Sequence, residues 1–178
     1  MESIAIVVSG LPASGKSTLA IKIAERLGYV CLDKDDFLEA LFDDAVGSHP
    51  RSTLSRQSDQ HFQQAAQRES RVVLVSHWRA PTMNTTSGTI SDWVALQYAS
   101  VIEIYCRCSA RTAAQRFSAR VRHPAHRDNE KSDEQLERWM HALSGNFPLG
   151  IGQLITVDTE VDIDVAALSS TIKKLTIG

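Results

Sequence analysis

Long hydrophobic runs, a disulfide framework and an excess of charge of one sign are all missing from this sequence. No apolar stretch in its 178 residues approaches the roughly 18 residues that a membrane-spanning helix requires. The apolar start of the chain is also too short for a signal peptide. The three cysteines are an odd number without framework spacing, which argues against a disulfide scaffold and for a reducing compartment. We therefore expect a cytoplasmic protein with no membrane partner.

Positive and negative charges nearly cancel, leaving a net charge of −2. A nearly neutral chain gives no general reason to expect a nucleic-acid partner, and strand binding would favour a basic groove with stacking aromatic residues. The apolar fraction of 43% and the charged fraction of 22% are those of an ordinary globular protein. The length, without visible repeats or linkers, predicts a single domain over residues 1–178.

Predicted strands and helices alternate along the chain. Short apolar runs with β-branched residues predict five strands of the kind buried in a parallel sheet, over residues 4–8, 29–32, 72–76, 101–106 and 153–157. Amphipathic patterns predict helices at 17–27, from Asp35 or Asp36, at 51–70, at 93–98, after Ser109, after Ser132 and at the end of the chain. This alternation predicts an α/β fold in three α/β/α layers with a mainly parallel sheet. A small excursion is expected around residues 115–146.

The octapeptide GLPASGKS, from Gly10 to Ser17, matches the phosphate-loop (Walker A) pattern G-x-x-x-x-G-K-[ST]. It follows a predicted buried strand and opens a predicted amphipathic helix, which is the context that this motif requires. Polyphosphate needs many hydrogen-bond donors close together, and the backbone N–H groups of such a loop supply them. The sequence therefore predicts a nucleoside triphosphate site, with ATP as the expected nucleotide.

Each part of the motif has an expected role. Gly10 and Gly15 let the backbone turn tightly and approach the phosphates, and the following helix points its positive end at them. Lys16 adds a mobile positive charge for the β- and γ-phosphates, and the Ser17 hydroxyl is placed to bind Mg²⁺. The other loop residues expected at the nucleotide are Ala13, Ser14 and Thr18.

Four segments resemble the small P-loop kinases of the nucleoside-monophosphate-kinase type, in particular the zeta-toxin-like and polynucleotide-kinase-like proteins. They are GLPASGKSTLA, the "KDD" segment LDKDDFLEALF, the arginine-rich RFSARVRHPAHRD and the VDTE of residues 157–160. The resemblance covers nearly the whole chain. It implies a P-loop NTPase fold with sheet order 2-3-1-4-5 and a small helical lid. It also implies transfer of the γ-phosphoryl group of MgATP to a hydroxyl group.

The resemblance assigns the catalytic acid to Asp35, at the end of the second strand. There a carboxylate accepts the proton of the attacking hydroxyl group or helps to hold Mg²⁺. Asp33 and Asp36 are the other candidates, and Asp33 and Asp35 would point the same way on an extended segment. The alternative for Asp35 is a plain helix N-cap.

The resemblance also places the lid arginines at the transferred phosphoryl group, where they would neutralise the developing charge. Arg120 and Arg122 match the lid positions best, and Arg116 and Arg127 come next. A solvated basic helix surface is the alternative for each of them. Asp158 and Thr159, in the VDTE segment, are expected beside the adenine.

The third strand ends in Ser76 and His77, where P-loop ATPases usually place an acid that supports Mg²⁺. This departure argues against a mechanical motor. In open α/β sheets ligands bind at the carboxyl ends of the strands, so we assign His77, Trp78 and Arg79 to an acceptor pocket. Packing of Trp78 under the following loop is the alternative. Three further candidates for this pocket, each also readable as an ordinary surface residue, are His49, Arg51 and Arg56.

The sequence thus favours an ATP-dependent phosphotransferase that acts on a small-molecule acceptor. Two other functions stay open. One is a polynucleotide 5′-hydroxyl kinase, which the near-neutral charge disfavours. The other is a nucleotide-binding switch or regulatory ATPase, which would need loops ordered by the nucleotide but no acceptor pocket.

Overall fold

The computed structural model describes residues 3–45, 50–80, 82–83, 88–121, 123–126 and 132–176. The elements in chain order are β1 (Ile4–Gly10), α1 (Lys16–Leu27), β2 (Val30–Asp33), α2 (Lys34–Asp44), α3 (Arg51–Ala66), β3 (Arg71–Val75), β4 (Trp78–Arg79), β5 (Thr89–Ile90), α4 (Asp92–Gln97), β6 (Ser100–Arg107), α5 (Ala110–Ala119), α6 (Asp133–Ser144), β7 (Gln153–Asp158) and α7 (Val165–Leu175).

Five strands form a parallel sheet in the order β2-β3-β1-β6-β7. Counted among these five strands alone, the order is 2-3-1-4-5, as the resemblance implied. The short strands β4 and β5 pair with each other in a separate parallel ribbon at the end of β3. The α/β/α fold with a parallel five-stranded sheet is therefore confirmed.

The central strand β1 shows how the sheet holds two cores. All seven of its residues are buried, and successive side chains point to opposite faces. Ala5 and Val7 pack in the cluster that contains residues of α3, α5 and α6. Ile6 and Val8 pack in the cluster that contains α1 and α7. The helices thus cover both faces, and the carboxyl edge of the sheet remains for a site.

Helix ends follow the local sequence signals in most places. Gly28 ends α1 in the left-handed conformation, Ser109 caps α5, and Ser132 forms a capping box with Gln135 at α6. Two predicted bounds were wrong. Helix α3 ends at Ala66 rather than at residue 70, and α2 is capped by Asp33 instead of Asp35 or Asp36.

Glu103, on β6, is a buried carboxylate that the sequence patterns did not single out. It is 0% exposed and accepts a hydrogen bond from Ser9 Oγ at 2.5 Å. It also accepts the backbone N–H groups of Leu149, Gly150 and Ile151 at 2.7, 2.9 and 3.3 Å. Because a buried charge is tolerated only when it is well hydrogen-bonded, Glu103 ties the loop before β7 to the centre of the sheet.

Candidate active site

A cavity of about 970 Å³ opens at the carboxyl edge of the sheet. Its walls come from the loop after β1, the start of α1, the ends of β2 and β3, the first turns of α2 and α3, the α5–α6 region and the loop after β7. This is the edge at which open α/β sheets bind their ligands. The cavity therefore lies where the sequence predicted a site.

The loop between β1 and α1 has the backbone geometry of a phosphate cradle. Gly10 has a φ of 132°, and a Cβ atom there would lie 2.5 Å from the carbonyl oxygen of Cys106. Gly15, the N-cap of α1, has a φ of 90°, and Ala13 has a φ of 60°, which is uncommon outside glycine. Pro12, Ala13 and Gly15 line the cavity, so the loop backbone faces it.

Lys16 lies in the cavity wall, and its side chain folds back on the loop. Its Nζ donates hydrogen bonds to the carbonyl oxygens of Gly10 at 3.0 Å and Leu11 at 2.7 Å. Burial lowers the pKa of Lys16, and the negative charges of Asp33 and Asp35 act in the opposite direction. The ammonium group therefore sits beside two of the three acids that the sequence left as catalytic candidates.

Ser17 and Asp33 form the closest polar pair in the cavity wall. Ser17 Oγ donates to Asp33 Oδ2 at 2.6 Å, and the other carboxylate oxygen accepts the backbone N–H of Asp35 at 3.1 Å. Burial raises the pKa of Asp33 to about 6, and the Ser17 hydrogen bond opposes this shift. The carboxylate nearest to the predicted magnesium ligand Ser17 is thus Asp33, and no cluster of three metal-binding residues is found among the described residues.

Asp35 lines the same cavity from the first turn of α2. The alternative interpretation of Asp35 as the helix N-cap was wrong, because Asp33 is the N-cap. The Asp35 carboxylate is therefore not needed to cap the helix. Its charge acts on both Lys16 and His77. Asp36 is exposed and does not line the cavity. Asp35 therefore remains the candidate for the acid that faces an acceptor.

His77 lines the cavity next to the end of β3. Burial, together with the positive charges of Lys16 and Lys34, lowers its pKa to about 4, and the charge of Asp35 opposes this shift. Its ring is therefore neutral near pH 7 and is a weak base. Its Nδ1 atom is buried and has no hydrogen-bond partner among the described residues. His77 can thus contact an acceptor without competing with Asp35 for a proton.

Two predicted lid arginines, Arg116 and Arg120, reach the cavity. Arg116 Nη2 donates to the carbonyl oxygen of Thr159 at 2.7 Å, which joins α5 to the loop after β7. The Arg120 guanidinium lies over the ring of Phe117, with 4.3 Å between its Cζ atom and the ring centroid. The charge of Arg120 also acts on Lys16. Both arginines are therefore close to the phosphate loop.

Residues 123–126, which follow α5, dock on the opposite wall of the cavity. Arg51 Nε donates to the carbonyl oxygen of Ala125 at 2.9 Å, and His126 Nε2 lies 2.9 Å from Glu39 Oε1. His126 is buried and lines the cavity. Three predicted site residues, His49, Arg122 and Arg127, lie outside the described residues.

The assignment of Trp78 to an acceptor pocket was wrong. Its side chain is 1% exposed, and it packs against Phe62 and Trp93 with ring centroids 5.8 and 6.5 Å away. Its Nε1 donates to the carbonyl oxygen of Val8 at 3.1 Å. An indole held on every side in this way cannot stack on a ligand, so packing prevails at this position.

Three other predicted residues also lie away from the cavity. Arg79 Nε donates to the carbonyl oxygen of Gly88 at 3.1 Å, within the β4–β5 ribbon. Asp158 forms a salt bridge with Arg107 at 3.0 Å. Neither side chain lines the cavity, nor does the exposed Arg56. Thr159, next to Asp158, does line it.

Lys34 and His126 are cavity residues to which the sequence analysis gave no role. The local signal for Lys34 was present, because it precedes Asp35 in the "KDD" segment. His126 also stands in the arginine-rich segment, but its place in the cavity depends on docking of residues 123–126 against α2, which the sequence pattern does not show. The site therefore contains more positive and titratable groups than the sequence alone indicated.

Residues 6–145 match a protein-family model described as an AAA domain. No curated protein sequence matches the chain. Among the described residues, no helix is both long and apolar enough to cross a membrane.

Solved structures with the same fold include several kinases. A candidate kinase from Chloroflexus aurantiacus j-10-fl has a TM-score of 0.72 and 21% identity, covering 98% of this chain and 99% of that one. Shikimate kinase from Bacteroides thetaiotaomicron has a TM-score of 0.63 and 14% identity, with 98% and 99% covered. Deoxyadenosine kinase from M. mycoides has a TM-score of 0.57 and 15% identity, with 96% and 97% covered. At these identities the similarity establishes the fold.

Proposed function

We propose that this chain, which belongs to the AAA domain family, is an ATP-dependent phosphotransferase that acts on a small molecule. The reaction moves the γ-phosphoryl group of MgATP to a hydroxyl group of the acceptor. Within the P-loop kinases we place it with the nucleoside-monophosphate-kinase and zeta-toxin-like type, on the basis of its "KDD" segment and arginine-rich lid. We expect it to work in the cytoplasm, where ATP and reduced thiols are available.

The observation that carries this proposal is the meeting of two sets of residues in one cavity. The phosphate loop, Lys16 and the Ser17–Asp33 pair form one end. Asp35 lies in the wall of the same cavity, beside the side chain of His77. A switch or regulatory ATPase would need the first set only. The second set supports a place for an acceptor.

The nucleotide would lie with its phosphates against the loop backbone, where N–H groups and the positive end of α1 face them. Lys16 would exchange its two carbonyl partners for phosphate oxygens. Mg²⁺ usually keeps several waters and binds through one or two carboxylates and the substrate phosphates, a requirement that Ser17 and Asp33 fit. When bound, the ion neutralises charge on the β- and γ-phosphates.

In the transfer step the acceptor oxygen forms a bond to the γ-phosphorus while the bond to the bridging oxygen of ADP breaks. Asp35 takes the proton of the attacking hydroxyl group. Arg116 and Arg120 would neutralise the charge on the equatorial oxygens of the phosphoryl group. The products are ADP and the phosphorylated acceptor. The structural neighbours named for shikimate and deoxyadenosine support an acceptor of this size.

The Asp35→Asn variant tests the proposal. A general base commonly contributes a factor of roughly 10²–10⁴ to the rate, so we expect ADP production with an acceptor to fall by at least 100-fold. Affinity for ATP should change less than about threefold. The measurements are coupled ADP release over an acceptor panel and calorimetric titration of ATP with Mg²⁺.

Asp36→Asn is the matched control, because Asp36 is the next residue in α2 and is exposed outside the cavity. It should keep its turnover. Equal losses in both variants, or full activity in Asp35→Asn, would remove Asp35 from the chemistry. If none of the acceptors in the panel supported ATP turnover by wild-type protein, and nucleotide binding only ordered its loops, the regulatory alternative would replace the kinase.

A further inference from the structure

We infer that Lys34 and Arg51 form an anion subsite at the acceptor end of the cavity, so the acceptor carries a carboxylate or phosphate group as well as the hydroxyl that is phosphorylated. By the acceptor end we mean the part lined by Lys34, Asp35, Leu38, Arg51, Ser55 and His126. The inference rests on the proposed kinase function, because it names the class of the acceptor.

Lys34 is a buried cation in the cavity wall. The residue is 8% exposed, and lysine is rarely buried to this degree unless it is paired. Its Nζ lies 3.3 Å from Ser55 Oγ and 3.6 Å from Asp59 Oδ1. The carboxylate distance is longer than a hydrogen bond. Of the three N–H donors of the ammonium group, only one has a hydrogen-bond partner among the described residues.

Asp59 is held by other groups and cannot move freely toward Lys34. Its Oδ1 accepts a hydrogen bond from Thr89 Oγ1 at 2.6 Å, and Thr89 Oγ1 lies 2.7 Å from Ser76 Oγ. Both Ser76 and Thr89 are buried. This chain of hydroxyl groups fixes the countercharge behind Lys34. The remaining donors of Lys34 are therefore left for a group on the cavity side.

Arg51 supplies a second positive charge on the same wall. It precedes Ser55 by four residues on α3, so the two side chains lie on one face of the helix. Its Nε is used by the carbonyl oxygen of Ala125, which fixes the orientation of the guanidinium plane. Its Nη atoms have no partner among the described residues. A planar guanidinium with free terminal nitrogens suits a carboxylate or a phosphate.

The position of Asp35 relates the anion to the reacting hydroxyl group. Lys34 and Asp35 are consecutive in α2, so their side chains leave the helix about 100° apart. Both line the cavity, while the buried Leu38 packs with Leu54 and Ala125 below them. A small molecule can thus place a hydroxyl group at Asp35 and an anionic group at Lys34 and Arg51. A neutral acceptor would leave the remaining N–H donors of the buried ammonium without a hydrogen-bond acceptor, which costs affinity.

Matched acceptor pairs test this inference. The panel contains hydroxy acids such as shikimate and gluconate with their carboxamides, and sugar or nucleoside monophosphates with their parent alcohols. ADP release with MgATP is measured for each compound. We expect turnover with the charged members and a loss of at least tenfold in kcat/KM for the neutral ones. Comparison of the hydroxy acids with the monophosphates shows whether the site binds a carboxylate or a phosphate.

The variants Lys34→Met and Arg51→Gln should each raise the KM for the acceptor at least tenfold and leave the KM for ATP within about twofold. Arg56→Gln is the matched control, because Arg56 is exposed on the same helix outside the cavity. Thermal unfolding of all three variants establishes whether they fold. If Lys34→Met does not fold, Arg51→Gln still tests the subsite, because Arg51 is exposed.

The possible results distinguish failure of the anion subsite from failure of the kinase function. Turnover of neutral acceptors equal to that of their acids, or an unchanged acceptor KM in both variants, would overturn the subsite and leave the kinase function standing. Failure of every charged and neutral compound, with Asp35→Asn indistinguishable from wild type, would overturn the kinase function and the subsite with it.

Discussion

Asp33 gives the sharpest link between stability and function in this molecule, and the change to test is Asp33→Asn. The pKa of this carboxyl is raised from 3.8 to about 6, mainly by burial. The folded state therefore holds the proton more tightly than the unfolded state. The stability contribution of Asp33 is present at low pH and is lost as the pH rises through about 6. Near pH 7.5 the ionised carboxylate destabilises the free protein.

The size of the effect follows from the shift. A difference of about two pKa units corresponds to about 3 kcal/mol at pH 7.5, since one unit is about 1.4 kcal/mol. At about pH 4.5 the same calculation leaves about 1 kcal/mol, because the folded carboxyl is then largely protonated and only the smaller cost of taking up that proton remains. Asparagine is an equally good N-cap, and it keeps an oxygen for the N–H of Asp35. We therefore expect Asp33→Asn to stabilise the free protein by about 1–3 kcal/mol near pH 7.5.

Urea denaturation of both proteins in EDTA, at about pH 7.5 and about pH 4.5, measures this difference. For a protein of this length, 1 kcal/mol corresponds to about 2–4 °C in Tm, so thermal scans provide a second measure. Asp44→Asn is the control, because Asp44 is an exposed carboxylate at the other end of α2. Its effect should stay within about 0.5 kcal/mol at both pH values.

The same substitution should weaken function. Loss of the carboxylate next to Ser17 should raise the Mg²⁺ concentration needed for half-maximal ADP release. Two results would refute the reasoning about Asp33. One is a variant less stable than wild type near pH 7.5 without metal. The other is a stability difference that does not change between the two pH values.

Two further substitutions test the frame of the site. Gly10→Ala would place a Cβ atom 2.5 Å from the carbonyl oxygen of Cys106, so calorimetry should show ATP affinity reduced at least tenfold. Gly145→Ala, where nothing lies within 4 Å, should bind ATP normally; equal affinity in both would contradict the geometry. Glu103→Ala removes the acceptor of four hydrogen bonds. Because each buried donor left unsatisfied costs about 1–3 kcal/mol, the free energy of unfolding should fall by about 3–5 kcal/mol in urea titrations. Glu137→Ala, which breaks an exposed salt bridge, should cost under about 1 kcal/mol, and similar losses in the two would show that Glu103 is not an anchor.

The fold and the phosphate loop could be predicted because their signals are local. The β1 run from Ile4, the glycines at 10 and 15 and the periodic face of α1 each specify their own conformation within a few residues. Strand alternation then leaves few possible arrangements. The sheet order was available only through the resemblance to P-loop kinases.

The acceptor end could not be predicted in the same way, because its residues come from segments far apart in the chain. Trp78 looked like a ligand-stacking residue until Phe62 and Trp93 enclosed it. Lys34 is functional in our interpretation only because Ser55 and Asp59, on another helix, hold it at the cavity wall. The choice between Asp33 and Asp35 depended on one helix boundary, and such boundaries are among the least certain features of a sequence.

Helix α5 and residues 123–126 together contact both ends of the cavity. Arg116 binds Thr159 on one side, and Ala125 and His126 contact Arg51 and Glu39 on the other. A displacement of α5 by one substrate would therefore alter the contacts offered to the second. Thermodynamic linkage requires this influence to be equal in both directions. If α5 and residues 123–126 move together, adding nucleotide should change the dissociation constant of the acceptor, and adding acceptor should change that of the nucleotide by the same factor.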